Sequence, residues 1–275
     1  VINSPFMLRM LAQTLIKYPK SLANKAELYN LFSNIHFERE KERLMKTEKI
    51  PSKYNIMDSF YQYSKDLAVN MFIRKVTSLQ VKSSGYKVLG IVENEKKNIW
   101  SRFFDDTQIM TKLARRGAQI IEDDGVIRFT HKSIMEYFAA KQFYDEIVDY
   151  NPDSLDDFEP CLNKGPVIDH ETAVYQFIRY INDSQMKKDE PLTLLHKKLL
   201  EVLSSTAVQK IYRDDLEENF LFPNIFLMLL LSKNIKAKTS ELPEDSPVTA
   251  VLVGLLKWLF SPPQESLRGP QRFLE

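Results

Sequence analysis

Arg128-Phe129-Thr130-His131-Lys132-Ser133-Ile134-Met135-Glu136-Tyr137-Phe138-Ala139-Ala140 is the stretch on which the reading of this chain turns. Its opening residues are β-like, and Ile134, Phe138 and Phe143 with Ala139 and Ala140 then recur at helical spacing. His131 stands where the strand gives way to the helix. The first turn of a helix leaves backbone N–H groups unpaired and carries the positive end of the helix dipole, so this place favours an anion such as phosphate. It disfavours a charged imidazolium unless an anion is present. Ser133-x-x-Glu136 has the spacing of a capping box, which would satisfy the first N–H groups of the helix.

Moving upstream, Ala118 to Ile121, Asp123-Asp124-Gly125 and Val126 to Phe129 read as strand, tight turn and strand. A short helix with Ile109, Leu113 and Ala114 precedes them and ends at Arg115-Arg116-Gly117, cations in the last turn followed by a C′ glycine. Helix, hairpin and helix in that order is the chain logic of a winged helix. Phe60, Tyr63, Leu67, Met71 and Phe72 mark an earlier helix, and Ser83-Ser84-Gly85 a loop. Nearer the start, Ser4-Pro5 is a helix opening with serine as N-cap and proline at N1. Phe6, Met7, Met10, Leu11, Leu15 and Ile16 give that helix its apolar stripe. Asn24 caps a second helix that runs on into the charged segment Glu38 to Lys46, a solvated face of alternating sign.

Beyond Asp149 the composition shifts through a Pro-containing patch at 151–166, and amphipathic helices are expected near 170–183, 191–211 and 215–233. The segment from Ser261 onward has too little periodic apolar content to fold alone. The expected fold is therefore mainly α: a helical domain over 1–50, a winged helix with one short β-hairpin over 51–149, and a helical array over 150–240. An apolar helix and a tail complete it over 241–275.

Bulk properties narrow the function. A formal charge of +1 predicts no strong nucleic-acid or membrane field. The single cysteine, Cys161, rules out an internal disulfide framework and fits a reducing, cytoplasmic setting. The apolar runs Phe220 to Leu231 and Val248 to Phe260 are shorter than the roughly 20 residues a membrane span requires, so no span is expected. The opening Val1-Ile2, without methionine, points to a piece of a longer protein.

Phe129-Thr130-His131-Lys132-Ser133 followed by Glu136-Tyr137-Phe138-Ala139-Ala140 resembles the F-x-H-x-S-x-x-E-[YF]-[FL]-A-A signature of the winged-helix part of NACHT-type signalling ATPases. These belong to the STAND nucleotide switches, which include the NOD-like receptors. The resemblance implies that His131 contacts the β-phosphate of bound ADP and helps lock a closed resting state. Asn3-Ser4-Pro5-Phe6 with Leu8 and Leu11 is similar to the motif that opens the small helical domain of that family, with Asn3 where glycine is often found. By that resemblance Pro5 borders the adenine ring. ADP/ATP would be the cofactor, an upstream NTPase domain the partner in the same chain, and self-association the result of activation, with an unknown protein ligand sensed.

Other chemistries lack their residues. Gly85-x-x-x-x-Gly90 has P-loop glycine spacing, but Ile91-Val92 stands where Lys-Ser/Thr must be, so no ATP hydrolysis by this chain is expected. Ile120-Ile121-Glu122-Asp123-Asp124 reads as a solvated turn rather than a Mg²⁺ site. His36, His131, His170 and His196 show no metal-ligand spacing. His131 and Ser133 are two apart on a helix and point about 200° apart, which defeats a serine-nucleophile reading. Two rival readings stay open. One is a helical interaction scaffold with no nucleotide role. The other is a DNA-binding winged helix, which the acidic wing Glu122-Asp123-Asp124 disfavours.

Overall fold

Helix α1 (Pro5–Lys17) opens where serine and proline direct it: the Ser4 hydroxyl accepts from the Met7 N–H at 3.2 Å, and Pro5 occupies the first helical position. Helix α2 (Lys25–Thr47) opens the same way, with Asn24 Oδ1 accepting from the Glu27 N–H at 3.0 Å. The structure, a computed structural model, describes residues 4–18, 24–48, 50, 54–82, 85–88, 100–149, 172–184 and 198. Among these residues it continues with α3 (Ile56–Ile73), β1 (Leu79–Lys82), β2 (Gly85–Val88), α4 (Ser101–Phe104), α5 (Ile109–Gly117), β3 (Ile120–Asp123), β4 (Val126–Phe129), α6 (Lys132–Val148) and α7 (Thr172–Ser184). The chain is mainly helical, as expected, with a small antiparallel sheet.

That sheet is larger than the single hairpin read from the sequence. Its strand order is β2-β1-β4-β3, so a second hairpin, β1 with β2, joins the first through pairing of Leu79 with Ile127 and Gln80 with Val126. Gly85, expected in a loop, heads β2. The β3–β4 hairpin begins two residues later than expected, pairing Ile120 with Phe129 and Asp123 with Val126. Its two-residue turn, Asp124 and Gly125, has positive φ at both positions (48° and 72°), the backbone twist that suits a tight hairpin. Helix α3, strand β1, helices α4 and α5 and then the β3–β4 hairpin form the winged helix.

The contacts divide the chain into two compact units, residues 1–142 and 143–275. In the first, an aromatic core joins α2, α3, β4 and α6. The Phe37 ring lies 5.6 Å from Phe60 and 6.0 Å from Phe138, and Phe138 lies 6.4 Å from Phe129. All four are buried, as are Tyr63, Leu67, Met71 and Phe72 along α3, where the sequence spacing placed them. Trp100, Phe103 and Phe104 add a core segment around α4 that the sequence reading passed over. In the second unit, α7 buries Val174, Phe177, Ile178 and Ile181 at helical spacing.

Two local expectations are corrected. Gly117 is the last residue of α5 rather than a left-handed C′ residue, and Ala118 in extended conformation follows it. The reason for glycine here is room: a Cβ at Gly117 would lie 2.1 Å from Phe60 Cε1. Leu15 and Ile16, expected in the apolar stripe of α1, are exposed, because α1 lays only one face on its neighbours. Ile109 opens α5 as expected, on its exposed side. The expected helices at 191–211 and 215–233 lie outside the described residues, but for Lys198. So do the 151–166 patch, the runs at Phe220 to Leu231 and Val248 to Phe260, and the tail from Ser261.

Candidate functional site

His131 is the residue before α6, and its side chain caps that helix. The Ser133 N–H donates to His131 Nδ1 at 3.2 Å, and Ser133 Oγ lies 2.6 Å from the same nitrogen. The two side chains therefore meet, against the expectation that they point apart, because His131 precedes the helix instead of standing on it. Helix α6 therefore starts at Lys132, with Ser133 inside its first turn. The expected capping box, with Ser133 as cap, is replaced by a histidine cap. Glu136 is buried and paired with Lys132 at 3.5 Å.

The ring's protonation state follows from its donors. A backbone N–H can only donate, so Nδ1 must carry a lone pair and the neutral ring must hold its proton on Nε2. The Tyr29 phenol donates to Ser133 Oγ at 2.7 Å, which leaves the serine proton to point at Nδ1. The order is Tyr29 O–H to Ser133 O–H to His131 Nδ1. Burial first, then the Lys25 ammonium, holds the imidazole below its ordinary pKa and so favours the neutral ring. Among the described residues no group bonds Nε2, so the site presents a neutral N–H donor at a helix start.

Two other helix starts converge here. Phe6, the second residue of α1, stacks flat on the His131 ring, with centroids 4.2 Å apart and planes within 4°, and meets Phe32 edge-on at 6.0 Å. Lys25, the first residue of α2, places its ammonium 5.8 Å from the centre of the Tyr29 ring. Burial raises the Tyr29 pKa, with the Glu136 carboxylate adding to it, so this phenol stays protonated and able to donate. Pro5 is exposed at the opening of α1, one residue from the ring that covers His131. A neutral N–H donor, a nearby ammonium and three positive helix ends suit a phosphate group.

Below this site, buried and part-buried polar bonds tie α2 to α3, to α6 and to the end of α5. Ser33 Oγ donates to Gln119 Oε1 at 2.9 Å, and His36 Nε2 lies 3.1 Å from the Gly117 carbonyl. Burial is the main cause holding the His36 imidazole below its ordinary pKa. Tyr61 donates to Asn34, and Tyr137 to Asn30 at 3.3 Å. His36 is thus a structural histidine; His170, His196 and Cys161 lie outside the described residues. Among the described residues no group of three or more His, Cys, Asp or Glu could hold a metal ion, and no helix is long and apolar enough to cross a membrane.

Tyr29, Lys25 and Phe6 were missed by the sequence reading as parts of the site. Lys25 and Tyr29 sit four apart on α2 and so share a face, which is the one signal the sequence offers. Their meeting with Ser133 depends on tertiary packing. Compared with known proteins, the chain matches no family model, and no curated protein aligns with it significantly.

Proposed function

We propose that this chain is the nucleotide-sensing regulatory part of a NACHT-type signalling ATPase, acting as a conformational switch rather than as the catalyst. The observation that carries the reading is His131 itself. A helix-start histidine has Nδ1 occupied by Ser133 and a neutral Nε2–H left to donate, with an ammonium and the start of a proline-opened helix beside it. In this role His131 donates to the β-phosphate of ADP, Lys25 balances its charge, and Pro5 borders the base. ADP supplies the anion that ties the winged helix to an upstream NTPase core in the resting state. Exchange to ATP would release His131 and free a surface for self-association. One such contact is worth about 1–3 kcal/mol, enough to bias a two-state equilibrium but not to hold it alone.

The charges on α5 favour this reading over DNA binding. Arg115 pairs with Asp106 and Arg116 with Glu48, so these two cations are already balanced within the protein. A phosphate backbone gains most from unbalanced cations. The scaffold reading draws on the exposed Leu8, Leu15 and Ile16 of α1, which offer an apolar face without reference to nucleotide.

The test uses the intact protein that carries this chain. Wild type and His131→Ala are purified, bound nucleotide is released with acid and quantified, and oligomeric size is measured by light scattering. Wild type should retain ADP as a monomer, and His131→Ala should lose ADP or self-assemble. Equal nucleotide content and size in the two proteins would sink the switch and leave His131 as a helix cap on a scaffold.

A further inference from the structure

With Nδ1 turned to Ser133, His131 can donate to a phosphate only through Nε2–H, whereas in water the two neutral tautomers interconvert freely. We propose that Tyr29 and Ser133 are positioning residues: a hydrogen-bond relay from α2 through the first turn of α6 fixes the His131 tautomer and ring orientation. The purpose assigned to the relay rests on the phosphate reading of His131; its test does not. The geometry is 2.7 Å from the Tyr29 phenol to Ser133 Oγ, then 2.6 Å from Ser133 Oγ to Nδ1, with the Ser133 N–H on the same nitrogen at 3.2 Å. Phe6, stacked at 4.2 Å, blocks ring rotation from the open side. Lys25 from α2 is the charge that acts on the ring, and Lys132, next to His131 in the chain, is paired with Glu136.

Protonating Nδ1 would break both of its hydrogen bonds, so donors on Nδ1 oppose the charged form. Tyr29 reaches the relay from a helix 104 positions away in sequence, so the ring's state is tied to the docking of α2 on α6. When α2 lifts, Ser133 loses the phenol that orders its hydroxyl. His131 would then report whether these two helices are together, and phosphate binding would depend on it.

The test is ¹⁵N NMR of the histidine-labelled chain, with the His131 signal assigned by His131→Gln, across a pH titration. Wild type should show one neutral tautomer with the proton on Nε2. Ser133→Ala should titrate at higher pH than wild type, and Tyr29→Phe should move the same way by less, since the serine bond survives without its polarising partner. Tyr137→Phe removes a bond between the same two helices that does not touch His131, and should leave the titration where it was. In the intact protein, ADP affinity should fall about fivefold for Tyr29→Phe, the loss of roughly one neutral hydrogen bond. A mixed or Nδ1-protonated tautomer in wild type would overturn the relay. Equal titrations in all variants, or a Tyr137→Phe shift as large as that of Ser133→Ala, would overturn it too. Titrations as described with no ADP bound by any protein would uphold the relay and refute the phosphate reading.

Discussion

Replacing Gly117 by alanine is the sharpest test of how the site is held in place. At a helix end with ordinary φ, glycine to alanine normally stabilises by up to about 1 kcal/mol through helix propensity. Here the added Cβ would lie 2.1 Å from Phe60 Cε1 and 2.4 Å from both Cδ1 and Cζ. Carbon atoms rest about 3.5–4.0 Å apart, so the ring must move by more than an ångström. It has nowhere easy to go, because Phe60 is fully buried with the Phe37 ring at 5.6 Å. Overpacking of this kind costs about 1–3 kcal/mol, and the closeness of the contact argues for the upper end. Net of the helix gain, Gly117→Ala should destabilise the protein by about 2 kcal/mol. With a urea slope of about 1–3 kcal/mol per molar, the midpoint should fall by about 1 M in circular dichroism. In a Phe60→Leu background the same substitution should cost far less. A Gly117→Ala protein as stable as wild type, or a cost unchanged by Phe60→Leu, would refute the close-packing argument. The result bears on function as well, because the Gly117 carbonyl faces His36 and so helps dock the helix that carries Tyr29.

Two further outcomes can be checked. Burial lowers the pKa of His36, so the unfolded chain binds protons that the folded chain does not, and stability should rise with pH through that window. The contribution is present above about pH 6.5 and is lost as pH falls toward the folded value, so thermal midpoints should drop on acidification and His36→Gln should flatten the curve. Ser33→Ala leaves the buried Gln119 side chain without that donor and should cost about 1–2 kcal/mol in urea unfolding, while leaving the His131 titration unchanged.

What the sequence made legible was local. Ser4-Pro5 and Asn24 named their caps correctly because capping depends on residues three apart. The stripe from Phe60 to Phe72 named a buried face because helical period and burial coincide. The β1–β2 hairpin went unread because four-residue strands carry too short a pattern to stand out, and one pairs with β4 from almost fifty positions away. Gly117 was read as a turn-former when its role is absence of bulk, which depends on where Phe60 lies. Around the start of α6, the motif drew attention to His131, but Tyr29 could not be read, since nothing near it in sequence points to Ser133. Leu15 and Ile16 misled for the opposite reason: an apolar residue on a helix says only that some face could be covered.

The span of the Tyr29–Ser133 bond, 104 positions, also sets a schedule for making the protein. A ribosome adding about 5–20 residues per second completes α2 roughly 5–20 s before α6 exists to receive it. During that interval the α2 face bearing Tyr29, Ser33 and Phe37 has no partner from β4 or α6. High-separation contacts of this kind slow folding, because loop closure must come before any of them forms. The bond that ties Tyr29 to the cap of α6 can thus form only after α6 is made, and under the proposed switch a nascent chain could not hold nucleotide through His131 before then.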